Sequence, residues 1–407
     1  MSISGAMGSS RFSRHSRFVS LAALIHMLCA CSSSSSPMSQ EDAGSDAGQD
    51  ATSGSTDAMP GGNDATMMMQ DGGSPVDTGT TMDAMAHDSG DPHAPMGAVD
   101  LPSSGQPVTL VDLRYAYDLH KMIAPGAGTG NVVIVDPDSL AQTIIPGFGS
   151  ADSADEGQGV VFAIDRGRKM LMVGDPSTKT IVAQTSVAQS PDFVRYIAAT
   201  KEVWVTESAS MKIEVFSVPQ TGTPMPTSVA TIAVMNDVQG LAIDNMHHKA
   251  YVQHATAASM NRVSQIDIDM RMEVAGFYAG CITYGNAIVD EQRNLLFAAC
   301  GSARVVVMDL ANNGAQLSNM PLFGGGLTPS IIAYNPSLSH VYLRGDPGME
   351  NDFFGVGANG VLSMIDMVVS QSEGSCMAAD DRNFLWVCDT VHARLLRFHD
   401  THPATPH

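Results

Sequence analysis

The chain has 407 residues and a formal net charge of −21, from 21 Lys+Arg against 42 Asp+Glu. That balance excludes a basic nucleic-acid surface, and an aromatic content of 6% without a long apolar run excludes a multi-span membrane protein. The acidity is uneven: no Lys or Arg falls between Ser32 and Gln106, a stretch with 12 acids, so the C-terminal ~300 residues are only mildly acidic and long enough to bury a large core.

Arg11, Arg14 and Arg17 precede a short apolar run, Phe18 to Ala30. The run is too short to span a bilayer as a stable helix and has the layout of a secretory signal, over residues 1–30. It ends Leu28-Cys29-Ala30-Cys31, followed by five serines. This resembles the bacterial lipoprotein box, which implies that Cys31 is acylated and becomes the mature N-terminus. Each buried CH₂ of such a chain adds ~0.8 kcal/mol of membrane affinity. Ser32, rather than Asp, follows the cysteine; the resemblance then implies the outer membrane, on its periplasmic side or at the surface.

Residues 31–104 are rich in Asp, Gly, Ser, Thr, Ala, Met and Pro. Such a stretch cannot bury enough apolar surface to offset chain entropy, and its acids repel one another, so it reads as a disordered, self-extending tether. Met67-Met68-Met69, Met82, Met85, His87, His93 and Met96 supply soft and borderline ligands for Cu(I), but at no repeated spacing.

From 105 to 400 one unit recurs: an apolar strand ending in Asp or Asn, a short turn, a β-rich strand, a polar loop, and a further strand often ending in Asp. First strands read Val161 to Asp165, Leu241 to Asp244, Ala287 to Asp290, Ile332 to Asn335 and Cys376 to Asp380; second strands include Val203-Trp204-Val205-Thr206 and Leu385-Trp386-Val387-Cys388. Seven third strands follow, among them Val132 to Asp136, Thr180 to Val182, Val305 to Asp309 and Leu362 to Asp366. The gap from Asp165 to Asp244 is nearly double the others and holds a degenerate unit around Val194 to Phe216. This period predicts an all-β, seven-bladed β-propeller, because a four-stranded sheet covers both faces only by packing radially against its neighbours. Residues 401–407 form a polar tail, too short for a closing strand. Pro107 to Asp112 is β-rich, and from the N-terminal side it is the expected closing strand. The Asp or Asn ending each first strand is read as capping its own turn rather than as an acid or base.

Val203-Trp204-Val205-Thr206-Glu207, Ala250-Tyr251-Val252-Gln253-His254, Val341-Tyr342-Leu343-Arg344 and Gly130-Asn131-Val132-Val133-Ile134-Val135-Asp136 resemble the YVTN-type repeat family of seven-bladed propellers. The resemblance covers roughly residues 107–400 and implies an architecture; the family is mixed in activity.

Propellers bind ligands near the central channel, at the mouth built by loops after the second strand and before the first. Those positions offer Asp175, Glu207, His254, Arg344 and Asp389, with Asp192 and Asn286 on the approach to first strands. Asp175, Asp192 and Arg344 are the candidate ligand contacts. An oxygen-rich ring suits Ca²⁺. Resemblance to gluconolactonase-type propellers would make Glu207, Asn286 and Asp389 metal ligands and His254 the base that assists water attack on a lactone or ester. No nucleophile elbow, phosphate-binding glycine loop or zinc-spaced His/Cys cluster occurs.

Apart from Cys29 and Cys31 there are four cysteines. Cys376 and Cys388 flank one hairpin, and Cys281 and Cys300 flank the equivalent hairpin two blades earlier, so pairing within each hairpin is expected in an oxidising compartment. Two functions stand: a monomeric propeller held on the membrane by a lipid anchor to bind a protein, glycan or small ligand, and a calcium-assisted hydrolase.

Overall fold

The computed structural model describes residues 93–103, 105–235, 238–254, 262–280, 286–301, 303–323, 328–346, 349–370 and 373–407. Cys31, Cys281 and the Met/His-rich stretch from Met67 to His87 lie outside them.

Among the described residues, twenty-eight strands form seven four-stranded antiparallel sheets, the blades of a β-propeller. Blade one is β2 (Arg114–Ala116), β3 (Lys121–Gly126), β4 (Gly130–Val135) and β5 (Gln142–Gly149). Blade two is β6 (Ala151–Gly157), β7 (Val160–Asp165), β8 (Met170–Asp175) and β9 (Thr180–Ser186). Blade three is β10 (Val194–Ile197), β11 (Glu202–Glu207), β12 (Lys212–Ser217) and β13 (Thr227–Ala233). Blade four is β14 (Val238–Asp244), β15 (Lys249–His254), β16 (Arg262–Asp267) and β17 (Met272–Tyr278). Blade five is β18 (Ala287–Asp290), β19 (Leu295–Cys300), β20 (Arg304–Asp309) and β21 (Ala315–Pro321). Blade six is β22 (Thr328–Asn335), β23 (His340–Asp346), β24 (Glu350–Val356) and β25 (Leu362–Val369). Blade seven is β26 (Met377–Ala379), β27 (Phe384–Asp389) and β28 (Arg394–His399), completed by β1 (Gly97–Asp100).

Burial explains why these segments are strands. Second strands are apolar without alternation at their centres because a neighbouring blade covers each face: every residue of β11 and of β19 is buried. The outermost strands alternate between exposed and covered positions, as β17 does. Seven hydrophobic clusters fill the seven blade–blade interfaces. One joins Phe162, Leu171 and Val173 of blade two to Val203, Val205 and Phe216 of blade three; another closes the circle between blades seven and one around Trp386, Leu395, Met122 and Val133. Blades one to six each carry a register shift between third and fourth strands, as at Val215/Phe216. Such bulges sharpen the twist that radial packing needs.

Three expectations are corrected. The ring does close with an N-terminal strand, but the strand is β1, not Pro107 to Asp112. Gly97 to Asp100 pair with Arg397 to Arg394, and Val99 and Leu101 are buried against Trp386 and Leu395. The segment after β1 crosses instead to the channel, contributing Val108 and Leu110 to the same cluster. The folded body therefore begins inside the stretch expected to be tether. Its polar tail is engaged too: Thr405 N–H donates to Leu338 O at 2.9 Å, and His407 Nδ1 lies 3.0 Å from Ser339 Oγ. Third, the strand phase differs in two blades. Val161 to Asp165 lies in the second strand of blade two, Thr180 to Val182 in its fourth, and Leu362 to Asp366 in the fourth strand of blade six. The innermost strand of blade two, β6, reads Ala-Asp-Ser-Ala-Asp-Glu-Gly and has no large apolar residue to betray it.

The turn reading of the first-strand ends agrees with the hydrogen bonds. Asp244 Oδ1 accepts from His247 N–H at 2.9 Å, and Asp380 Oδ1 from Arg382 N–H at 2.9 Å. Cys376 and Cys388 form a disulfide with Cα atoms 5.4 Å apart, within the range such bridges need. They stand opposite each other because the register of β26 on β27 pairs Met377 with Val387.

Asp352 on β24 is fully buried. Its Oδ2 accepts from Phe323 N–H at 2.7 Å, while Oδ1 has no hydrogen-bond partner among the described residues. Burial pushes its carboxyl from the ordinary 3.8 up to about 6; the Phe323 N–H opposes this and Glu350 adds to it. A carboxyl raised by folding costs nothing below its unfolded pKa, and stability is lost as pH rises through the folded one. Asp352→Asn is therefore expected to raise the melting temperature at pH 7.5, with the gain fading towards pH 4. A gain that grew on acidification would contradict the assignment.

Candidate functional site: the central channel

The meander places the turns after second strands, and the connections that lead into first strands, at one end of the channel, called the upper end here. Turns after first and third strands lie at the lower end. Residues ending the second strands form an equivalent set: Asp165, Glu207, His254, Cys300 and Asp389. Asp165 belongs to it once blade two is rephased. Asp175, expected there, ends a third strand instead. It sits at the lower end and accepts from Ser177 N–H at 2.8 Å and Ser177 Oγ at 2.6 Å, contacts that hold its carboxyl below the ordinary value.

The acids of the upper set are turned into their own hairpins. Glu207 is fully buried, accepts from Gln189 N–H (3.0 Å) and Ser210 Oγ (2.8 Å), and pairs with Lys212 Nζ at 3.2 Å. Asp389, also fully buried, pairs with Arg394 Nε at 2.7 Å and His392 Nδ1 at 2.8 Å. Asp165 caps the turn by accepting from Arg168 N–H at 3.0 Å. His254 points outward along blade four: its Nε2 lies 2.7 Å from Ser264 Oγ, which donates to Glu273 Oε1 at 2.9 Å. That Glu273 is ion-paired to Arg262. Arg344 is wholly buried between blades six and seven, where Nη1 donates to Cys388 O at 2.9 Å. Among the described residues, no group of three or more His, Cys, Asp or Glu side chains is placed to hold a metal ion. Glu207 and Asp389 are held in separate hairpins, of blades three and seven, each by partners of its own. Asp192 remains at the upper rim, where Arg166 bridges it to Asp152. Burial raises the carboxyl of Asp152, and Arg166 opposes that rise.

Only Asn286 of the expected residues lines the channel cavity, a space of about 140 Å³. Its charged walls are Asp112, ahead of β2, Arg114 on β2 and Arg195 on β10. Arg195 donates twice to Asp112, Nη1 to Oδ2 at 2.7 Å and Nη2 to Oδ1 at 3.0 Å. Its Nε reaches Leu241 O in blade four at 3.2 Å, and Ser153 Oγ of blade two donates to the same Asp112 oxygen. Burial works against the Arg195 charge, but Asp112 more than offsets this and holds the guanidinium above its ordinary range. The available sequence signal was a charged residue inside a short β-rich run, Val-Arg-Tyr-Ile, since charges are buried only when paired.

A second cavity, of about 410 Å³, lies towards the lower end and shares Arg114, Tyr117 and Tyr334 with the first. Tyr117, Tyr196 and Tyr334 line it with Arg114, Asp155, Asn245, Asp290 and Glu291.

No protein-family model matches the chain, and no curated protein matches it. Solved structures do. A chain in the crystal structure of the mitotic checkpoint complex superposes with a TM-score of 0.63 at 13% identity, covering 83% of this chain and 97% of that one. The hydrazine synthase of Kuenenia stuttgartiensis gives 0.62 at 12% identity, covering 74% and 97%, and U3-55K gives 0.58 at 10%, covering 74% and 98%. At these identities the likeness is one of fold: the chain is a seven-bladed β-propeller, an architecture that can bind ligands or proteins.

Proposed function

We propose that the protein is a cell-envelope lipoprotein of the YVTN-repeat type, acylated at Cys31 in the outer membrane. Residues 31 to about 92 hold a binding propeller off the lipid, and the ligand enters the central channel. The observation that carries the binding reading is the channel itself. Its inner strands leave two lined cavities, the larger towards the lower end, whereas Glu207, His254 and Asp389 are each engaged in their own blade. The hydrolase alternative needs Glu207 and Asp389 to leave their hairpins. A calcium-dependent rise in melting temperature, abolished by Glu207→Gln and Asp389→Asn, would restore it.

The anchor is tested separately. Labelled palmitate is expected to enter the wild-type protein and not Cys31→Ser, with the variant moving from the membrane to the soluble envelope fraction. Incorporation unchanged by the substitution would end the lipoprotein reading.

A further inference from the structure

The lower mouth carries a chemistry of its own, and any ligand role for it rests on the channel being a binding site. Its volume, about 410 Å³, falls in the range of small-molecule pockets. Each carboxylate in its wall is already answered by donors. Asp155 takes Arg114 Nη2 at 3.3 Å and Tyr196 N–H at 2.9 Å. Asp290 takes Arg293 Nε at 2.6 Å and Tyr334 OH at 2.6 Å. Glu291 takes the N–H groups of Asn245 and Met246 at 3.0 and 3.1 Å. Asp155 and Asp290 are matched by arginines, so an ionic ligand gains little from them, while Glu291 is held by two neutral N–H groups. A carboxylate has about four lone-pair sites, however, and Asp155 and Glu291 each use two, so acceptors remain for hydroxyl groups.

Rings complete the wall. Tyr117 is 50% exposed and braced edge-on by Tyr115, with centroids 4.9 Å apart. Tyr196 is fixed by Phe162 on β7 and by Gly157: a Cβ at that glycine would come within 2.3 Å of the Tyr196 ring. Rigid phenol rings beside spare acceptors suit a molecule with apolar C–H faces and hydroxyl edges.

We propose that the lower mouth binds a neutral glycan, with one sugar ring against Tyr117 and its hydroxyls on Asp155 and Glu291. The test is titration calorimetry and saturation-transfer NMR on the detergent-solubilised full-length protein with maltose, cellobiose and N,N′-diacetylchitobiose. At least one is expected to bind saturably, with Tyr117→Ala weakening it about tenfold or more. Tyr117→Phe should retain it, and Arg166→Ala at the upper end should leave it unchanged. Melting temperatures of the variants check the fold, and half-exposed Tyr117 carries little of the core. If no disaccharide binds, or if Tyr117→Ala and Glu291→Gln both bind like wild type, the proposal is overturned. Spermidine or inorganic phosphate binding in a Tyr117-dependent way, with the disaccharides silent, would overturn the glycan class while leaving the channel reading in place. Silence of all five probes with every variant folded would count against both.

Discussion

Removal of residues 1–103 is expected to lower the stability of the propeller sharply, while removal of 1–92 leaves it nearly unchanged. The difference is β1. Its four residues pair with β28, and Met96 and Leu101 extend the ladder through N–H bonds of 2.7 Å to Arg397 O and Ala393 O. Val99 and Leu101 are 3% and 6% exposed, packed in the cluster that joins blades seven and one. Burying two such side chains contributes about 4 kcal/mol before the backbone pairing is counted. Loss of β1 also bares the edge of β28, a template for pairing with another chain, so the longer truncation is expected to aggregate on heating. Equal melting temperatures for the two proteins would refute this closure.

Breaking the ion pair in the channel wall is expected to be as costly. Arg195 binds Asp112, 83 positions away, and Leu241 O, 46 positions away, so one side chain draws together blades one, three and four, with Ser153 adding blade two. Both charged partners are almost fully buried. Arg195→Met leaves the Asp112 carboxylate without its counter-charge, at a cost of about 3–5 kcal/mol. Replacing both, with Asp112→Leu and Arg195→Met, should recover most of that loss, because the desolvation of two charges is then also removed. Urea midpoints with unchanged slopes are the measurement. A double variant no better than Arg195→Met alone would mean that the pair acts through geometry rather than charge.

How much was legible in the sequence depended on which strand of a blade was being read. Second strands such as Val203-Trp204-Val205 announce themselves, because blades cover both of their faces and their central positions are apolar on both. β6 escaped notice because its polar residues have distant partners: Asp155 meets Arg114 of blade one, and Ser153 meets Asp112. The same omission moved Asp175 to the wrong end of the channel and hid Asp165. Likewise β1, Gly-Ala-Val-Asp, is too short and plain to separate from the acidic stretch before it, and only the open edge of β28 gives it a place.

The sequence by itself determined the all-β class, the number of blades and the Cys376–Cys388 disulfide, since these follow from the spacing within a repeat and the count of repeats. Tertiary structure alone decided which end of the channel holds the larger cavity, which strand closes the ring and which polar residues reach the axis. Glu207, His254 and Asp389 stand at equivalent places in their blades, yet each finds partners within its own blade and turns to them. The charges of Asp112 and Arg195 are matched across the channel. A buried charge must be matched wherever its partner lies, and that matching spans tens of residues, beyond the reach of any local pattern.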